Sequence, residues 1–525
     1  MTCAHDWVDE RGIEMDESYK DIPLPPRSSE SRPPAAWRDL REWIDLAERH
    51  GNVHRISAAV DPNEELSAIT YMRTQDETAP AILFENLHDN PLGARVLTNM
   101  LGNSKERYAL TLGLDPAMSI SALIDETRKL MRSKVAPVFV PQESAPVNEN
   151  VLLGDDIDLT LLPIPKFWPE DGGRYIGTGD VTFTADPRSG RINAGVYRQM
   201  LHTHDRVGLY CSPGKHGKLD REAWWAQGKP CEVVAAYGID PALFMAASIV
   251  YGPNDSEIDA AGALMGHPVE LTKGAFGSIP IPARAEIVIE GVLRPGEMAD
   301  EGPLGEFTGY YGSPRSPQPV IEVKALHFRN KPIITAALMA RYPACEQGMY
   351  YAIARSARVL DDLGRMGLPG VRGVFTPPAA ASGFGMLIIS IKQQYAGHVA
   401  QALGMAATCP AAAYFTKWII AVDDDVDPTD MNQVMWALST RCNPQDDLDI
   451  SRNTWSTGLD PSQFPAEKRP YGSKALIDAC KPHRYLSQFP KSTKIRRSVY
   501  EGVATRWAEL GFTNTAPALD IFHEE

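Results

Sequence analysis

Two short segments about a hundred residues apart hold residue types suited to moving a proton. Ile192-Asn-Ala-Gly-Val-Tyr-Arg198 carries a guanidinium, and Glu301-Gly-Pro-Leu-Gly-Glu306 carries two carboxylates. Carboxylates brought close together repel, and burial adds to the repulsion, so one is pushed to hold its proton while a fixed cation such as Arg198 keeps the other ionised. One acid then gives a proton and the other stays charged. Gly302, Pro303 and Gly305 make the acidic segment a turn rather than a helix or strand, which can present Glu301 and Glu306 on one concave side. Read alone, the same string is equally an acidic loop.

Asn193 and Arg198 fall on an apparent strand, INAGVYRQM, that follows the turn Asp186-Pro-Arg-Ser-Gly190. Residues five apart on a regular strand face opposite sides, so both reach one site only if the strand borders it or bulges. Otherwise they are a turn Asn and a surface Arg. Cys211-Ser-Pro-Gly-Lys-His-Gly-Lys218 resembles a phosphate-cradling loop with Lys215 and Lys218 as its charges, but it lacks P-loop spacing. His216, on this Gly-flanked loop, is open to a metal or faces solvent. Glu257 follows Asn254-Asp-Ser and lies in a loop between packed elements; with Asn193 and His216 it could complete a site for Mn²⁺ or Mg²⁺. The alternative for Glu257 is a helix N-terminal acid. His202 and His204 share a strand face without a third ligand and read as surface or structural. Asp423-Asp-Asp-Val-Asp427 reads as a solvated acidic strand end.

Several kinds of element must position these groups. Residues 19–35 are rich in Pro and Ser, so residues 1–34 are expected to form a flexible arm. Trp37, Leu40, Trp43, Ile44 and Ala47 repeat at helical spacing up to a stop at Gly51. Ala81 to Phe84 reads as a strand. From about 150 to 330, short β-rich runs (Val181 to Ala185, Val207 to Cys211, Ala285 to Glu290, Val320 to Leu326) suggest a barrel-like sheet. After about 345, Tyr350 to Leu363, Met386 to Ile391, Tyr395 to Leu403 and Trp418 to Val422 alternate helix and strand, as in a separate α/β domain. A helical stretch around Tyr500 to Leu510 reads as a tail that packs on a neighbour.

At 525 residues the chain is long enough for two or more domains and a buried cofactor site. No apolar run approaches the roughly 20 residues that span a bilayer, so no membrane partner is expected. The net charge of −15 argues against a nucleic-acid partner. The seven cysteines contain no C-x-x-C pair and read as thiols in a reducing compartment. The first residues lack a secretory signal, so the expected location is cytoplasmic.

Seven segments in order resemble the UbiD family of decarboxylases, which use prenylated flavin mononucleotide (prenylated FMN). They are DGGRYI (171–176), INAGVYRQM (192–200), the His216 loop, the Glu257 stretch ending in AGAL, EIVIEG (286–291), EGPLGE (301–306) and TKWIIAVDDDVD (416–427). The resemblance spans roughly residues 35 to 485. It implies a mixed α+β and α/β fold: a flavin-binding domain (35–335) around a split β-barrel at about 150–330, a C-terminal α/β dimerisation domain (345–485) and a helical tail (486–525). By position it makes Asn193, His216 and Glu257 the ligands of Mn²⁺ (or Mg²⁺), with K⁺ close by, and Arg198, Glu301 and Glu306 the catalytic groups. Lys417 matches a lysine that contacts the cofactor, and Lys215 stands where some relatives carry Gln at the flavin.

The implied activity is a reversible, non-oxidative decarboxylation of an aromatic or heteroaromatic, α,β-unsaturated acid. The substrate carbon bonds to the prenylated flavin, which serves as electron sink while CO₂ leaves, and Glu306 protonates that carbon. The overall texture is closer to relatives acting on hydroxybenzoates or on indole or pyrrole carboxylates than to the cinnamate type. A flavin prenyltransferase would supply the cofactor, and a homodimer or larger homo-oligomer is expected. Two alternatives stay open, a metal-dependent hydrolase built on Asn193, His216 and Glu257, and a non-catalytic flavin-binding protein.

Overall fold

The computed structural model describes residues 34–518 apart from 253–254, 313, 464 and 466–470. The expected arm, residues 1–34, lies outside the described residues except for Pro34. Helix Leu40–Arg49 starts where Asp39 caps it by accepting from the Glu42 N–H, and it buries Leu40, Trp43, Ile44 and Ala47, the face its spacing predicts. It packs beside a four-stranded sheet in the order Val53–Ile56, Ala81–Phe84, Arg95–Thr98 and Ile333–Thr335. The last of these strands arrives more than two hundred residues later and pairs in parallel with Arg95–Thr98. The chain thus leaves this N-terminal unit, builds the barrel, and returns to complete it.

The barrel is a nine-stranded sheet. Its order is Tyr175–Gly177, Gln199–Thr203, Arg206–Gly208, Ser316–Phe328, Ile287–Glu301, Cys231–Tyr237, Val181–Ala185 and Ile192–Gly195, with Asn150–Leu153 paired on Ser316–Phe328. Strands Ile192–Gly195 and Gln199–Thr203 are consecutive in the chain yet lie six strand spacings apart in this order, about 29 Å if the sheet were flat. Val196, Tyr197 and Arg198 join them, and a link that short spans at most about 15 Å. The sheet must therefore curl until its edges approach, and residues 196–198 are the seam.

Two expectations are corrected here. INAGVYRQM is not one strand but two, broken at Val196–Arg198, so period-2 alternation does not separate Asn193 from Arg198. The acidic segment is not wholly a turn. Glu301 is the last residue of a 15-residue strand, Ile287–Glu301, paired with Ser316–Phe328 through Glu301↔Ser316. Of the expected run Ala285 to Glu290 the strand takes up Ile287 to Glu290, and Val320 to Leu326 lies wholly in its partner, mostly buried.

The C-terminal α/β unit has a five-stranded sheet in the order Val371–Phe375, Met386–Ile391, Trp418–Asp423, Tyr471–Ala479 and Leu448–Trp455. Its three central strands are parallel and its edges antiparallel. Helix Met349–Arg365 buries every residue from Tyr350 to Leu363, which fits its place between the two units. Asp423 is not solvated as expected. It is buried at its strand end and paired with Arg441 at 2.8 Å, while Asp425 pairs with Arg441 and Lys481. The tail helix, Arg497–Thr505, buries no residue. Among the described residues, no helix is long and apolar enough to cross a membrane.

Candidate active site

Arg198 sits on the barrel seam and splits its guanidinium between the two acids. Nη1 donates to Glu306 Oε1 at 2.8 Å, and Nη2 donates to Glu301 Oε2 at 2.9 Å. The Tyr210 ring lies 4.2 Å from the guanidinium carbon, a cation–π contact that fixes its plane. All three charged side chains are nearly fully buried. Burial works against the Arg198 charge, but the two carboxylates outweigh it and hold its pKa above the ordinary value. One cation between two buried carboxylates leaves one negative charge in excess, and a proton removes it.

The two acids are not equivalent. Burial raises Glu306 above the usual carboxylate range, and the opposing pull of Arg198 and of the Phe307 N–H does not cancel that rise. Glu301 takes a second side-chain donor, the Tyr175 hydroxyl, at 2.8 Å on Oε1. Arg198 and Glu306 line a cavity between the barrel and the C-terminal unit, whereas Glu301 stands behind them, outside its lining. Glu306 is thus the acid presented to a bound molecule.

Asn193, His216 and Glu257 line the same cavity. His216 is not on a loop as expected; it opens helix His216–Trp225. Glu257 likewise opens helix Glu257–Met265, where Ser256 caps the start by accepting from the Asp259 N–H, which answers the alternative left open for it. Two helix N-termini meeting at one end of a cavity favour an anion such as a phosphate. The Asn193 amide nitrogen donates to Thr184 Oγ1 and the Tyr197 hydroxyl, which turns its carbonyl oxygen to other partners. Burial lifts the Glu257 carboxyl to about 7 and depresses His216. A buried carboxylate oxygen, a neutral imidazole and an amide oxygen form a donor set that fits Mn²⁺ or Mg²⁺, and such a cation would offset the burial of Glu257. Among the described residues, no group of three His, Cys, Asp or Glu side chains is placed to hold a metal, so this candidate depends on its asparagine.

Lys215 also lines the cavity, with its ammonium 5.2 Å from the Tyr414 ring centre. Burial, reinforced by Arg355, brings it down to about 8. Lys417 is not brought there. Its ammonium is held by Asp460 at 2.7 Å and Ser462 at 2.8 Å, outside the cavity lining, because the strand it precedes points it toward the 457–463 loop. His202 and His204 also lie outside the lining; His204 is exposed, and His202 is half-buried beside the barrel.

Sequence reasoning missed the aromatic wall. Phe307, Tyr351, Phe384, Tyr414 and Trp455 line the cavity, with Phe384 4.6 Å from Tyr351 and 5.0 Å from Phe307 between ring centres. No spacing marks them, since they come from five separate segments. Tyr175, the second side-chain donor to Glu301, was also missed, although DGGRYI contains it.

The chain matches three family models in order. They are the N-terminal domain of 3-octaprenyl-4-hydroxybenzoate carboxy-lyase at residues 44–127, its Rift-related domain at 138–342 and its C-terminal domain at 349–479. It is 33% identical to a pyrrole-2-carboxylic acid decarboxylase of Pseudomonas aeruginosa over 493 residues, covering 90% of this chain and 98% of that one. The closed form of vanillic acid decarboxylase from Sedimentibacter hydroxybenzoicus superposes with a TM-score of 0.82 at 29% identity, over 91% of this chain and 99% of that one. An evolved dimeric form of the UbiD-class enzyme HmfF from Pelotomaculum thermopropionicum, in complex with prFMN, gives 0.74 at 28% identity, over 88% and 100%. With all three domain models matched around a buried pair of acids on one guanidinium, the chain belongs to the UbiD family and is a carboxy-lyase, that is, a decarboxylase.

Proposed function

We propose that this enzyme removes CO₂ from an aromatic or heteroaromatic carboxylic acid with the help of prenylated FMN, and that Glu306 protonates the carbon that CO₂ leaves. The observation that carries the reading is the asymmetry of the two acids. Both are held by Arg198, yet only Glu306 faces the cavity, and burial makes it the one to hold a proton. When bound, prenylated FMN supplies the electron sink for the C–C bond that breaks. Asn193, His216 and Glu257 would hold Mn²⁺ (or Mg²⁺), with K⁺ close by, and Lys215 would contact the cofactor from the same cavity. Arg198 orients the acids and the flavin edge. Glu306 gives its proton to the carbon and regains one before the next turnover. A flavin prenyltransferase supplies the cofactor, decarboxylation is the working direction, and high bicarbonate reverses it.

The aromatic wall supports a flat ring as substrate. The relatives named above act on pyrrole-2-carboxylic and vanillic acids. Holoenzyme tested on a panel of pyrrole-2-carboxylate, indole-3-carboxylate, 4-hydroxybenzoate, vanillate and cinnamate is expected to release CO₂ from a ring carboxylate and to prefer it to cinnamate. Preference for cinnamate would overturn the substrate assignment and leave the chemistry standing.

We also propose a homodimer made through the C-terminal unit and the tail; an evolved form of one relative is dimeric. The tail exposes Ile495, Val499, Val503, Leu510 and Phe512, which an isolated protomer leaves in water. Deleting residues 486–525 is expected to lower the assembly mass in sedimentation while leaving the melting temperature of the protomer nearly unchanged. An unchanged mass would remove the tail from the interface.

A further inference from the structure

The motif Asp171-Gly-Gly-Arg-Tyr-Ile176 has no part in the chemistry proposed above, yet it grips the acidic segment at four points. The Gly172 N–H donates to Pro303 O at 2.9 Å. The Gly305 N–H donates to Asp171 Oδ1 at 3.0 Å, while Asp171 Oδ2 accepts from Phe167 and Trp168. The backbones touch so closely that a Cβ on Gly172 would lie 2.2 Å from Gly302 O. The fourth point is Tyr175, wholly buried, with its hydroxyl 2.8 Å from Glu301 Oε1 and 3.2 Å from Pro303 O. It has a single proton to give, and the charged, nearer oxygen takes it.

Tyr175 stands opposite Met200 in the pairing of its strand with Gln199–Thr203, the strand that begins just after Arg198. One strand pair therefore presents two donors to one carboxylate, Arg198 to Oε2 and Tyr175 to Oε1. Both Glu301 oxygens are thus occupied by donors, whereas Glu306 takes its side-chain donor from Arg198 alone and is raised by burial.

We propose that Asp171–Ile176 is a clasp for the acidic segment and that Tyr175 is a positioning residue for decarboxylation, acting through Glu301 to keep the pair singly protonated on Glu306. This rests on the decarboxylase reading above. Arg198, Glu306 and, from the neighbouring strand, His202 act on Glu301; Asp171 of the clasp acts on Tyr175, and Asp300 with Arg315 at the strand end acts on His202. All of them stay in place when only the Tyr175 hydroxyl is removed.

Without that donor the pair takes its second proton more readily, and the doubly protonated form has no charged partner. In Tyr175→Phe holoenzyme turning over pyrrole-2-carboxylate, the acid limb of the kcat profile is expected to move up by about one to two pH units, the equivalent of one charge-assisted hydrogen bond. KM should change less than kcat. A merely structural role would lower kcat equally at all pH, and that result, or an unmoved acid limb, overturns the proposal. If wild-type holoenzyme itself releases no CO₂ from any acid of the panel, the decarboxylase reading fails, and the clasp is judged without turnover. In Glu306→Gln protein, infrared titration of the protonated-carboxyl band must show protonation at higher pH when Tyr175→Phe is added, and no difference refutes the clasp. Should Tyr175→Phe not fold, a ring-fluorinated tyrosine at position 175, a stronger donor of the same shape, must move the acid limb down instead; an unmoved limb overturns the proposal.

Discussion

Glu306→Gln is expected to fold, keep its prenylated flavin, and lose CO₂ release by about 10²- to 10⁴-fold, the usual worth of a general acid or base. The amide preserves the shape and can still accept from Arg198, whose hydrogen bond to Glu306 is 2.8 Å. Folding should therefore change little. An amide cannot give a proton, so the loss should fall on kcat, with the flavin spectrum unaltered. Because burial raises the Glu306 pKa, wild-type activity should persist above the ordinary carboxylic range and decline only as pH passes through that raised value. The variant should show no such decline. Substantial turnover by Glu306→Gln would assign the proton to another donor.

Glu257→Gln is expected to act at the opposite end of the cavity and in the opposite way. Burial lifts this carboxyl to about 7, so the metal-free protein carries a strained acid that an amide relieves. The melting temperature of metal-free protein should hold or rise. Mn²⁺ affinity should fall by at least about 10- to 100-fold, since losing even the outer partners of metal ligands costs that much. Flavin retention should fall with it. These losses are read by metal analysis and by the bound-flavin spectrum after dialysis. If Glu257→Gln retains metal and flavin as the wild type does, Glu257 is a helix N-terminal acid and nothing more.

The parts of the fold that were legible in sequence are those where local periodicity and burial agree. Helix Leu40–Arg49 shows its buried face as a helical repeat, and Met386–Ile391 and Ala81–Phe84 are apolar runs bounded as strands should be. The seam was not legible. INAGVYRQM has strand composition throughout, and the break at Val196–Arg198 is imposed by closure of the sheet, which depends on strands a hundred residues away. The return of Ile333–Thr335 to the N-terminal sheet was hidden for the same reason. At the site, the residue types of Arg198, Glu301 and Glu306 suggested their chemistry, but which acid faces the cavity is set by tertiary burial and by Tyr175. His216 and Glu257 were placed on loops because glycine and acidic residues dominate their surroundings; both are helix starts, where such residues are common. Lys417 carried a resemblance without geometry, and its ammonium is engaged by Asp460 instead.

The central claim is most directly tested by measuring CO₂ release, on the same panel of acids, from wild-type protein in three states. These are protein loaded with prenylated FMN and Mn²⁺ by co-expression with a flavin prenyltransferase, protein loaded with unmodified FMN and Mn²⁺, and flavin-free protein with Mn²⁺ alone. The account predicts CO₂ from the first state only. Equal release from the flavin-free state would contradict it in favour of metal-dependent chemistry at Asn193, His216 and Glu257, and bound prenylated FMN with no CO₂ from any acid would contradict it in favour of a flavin carrier.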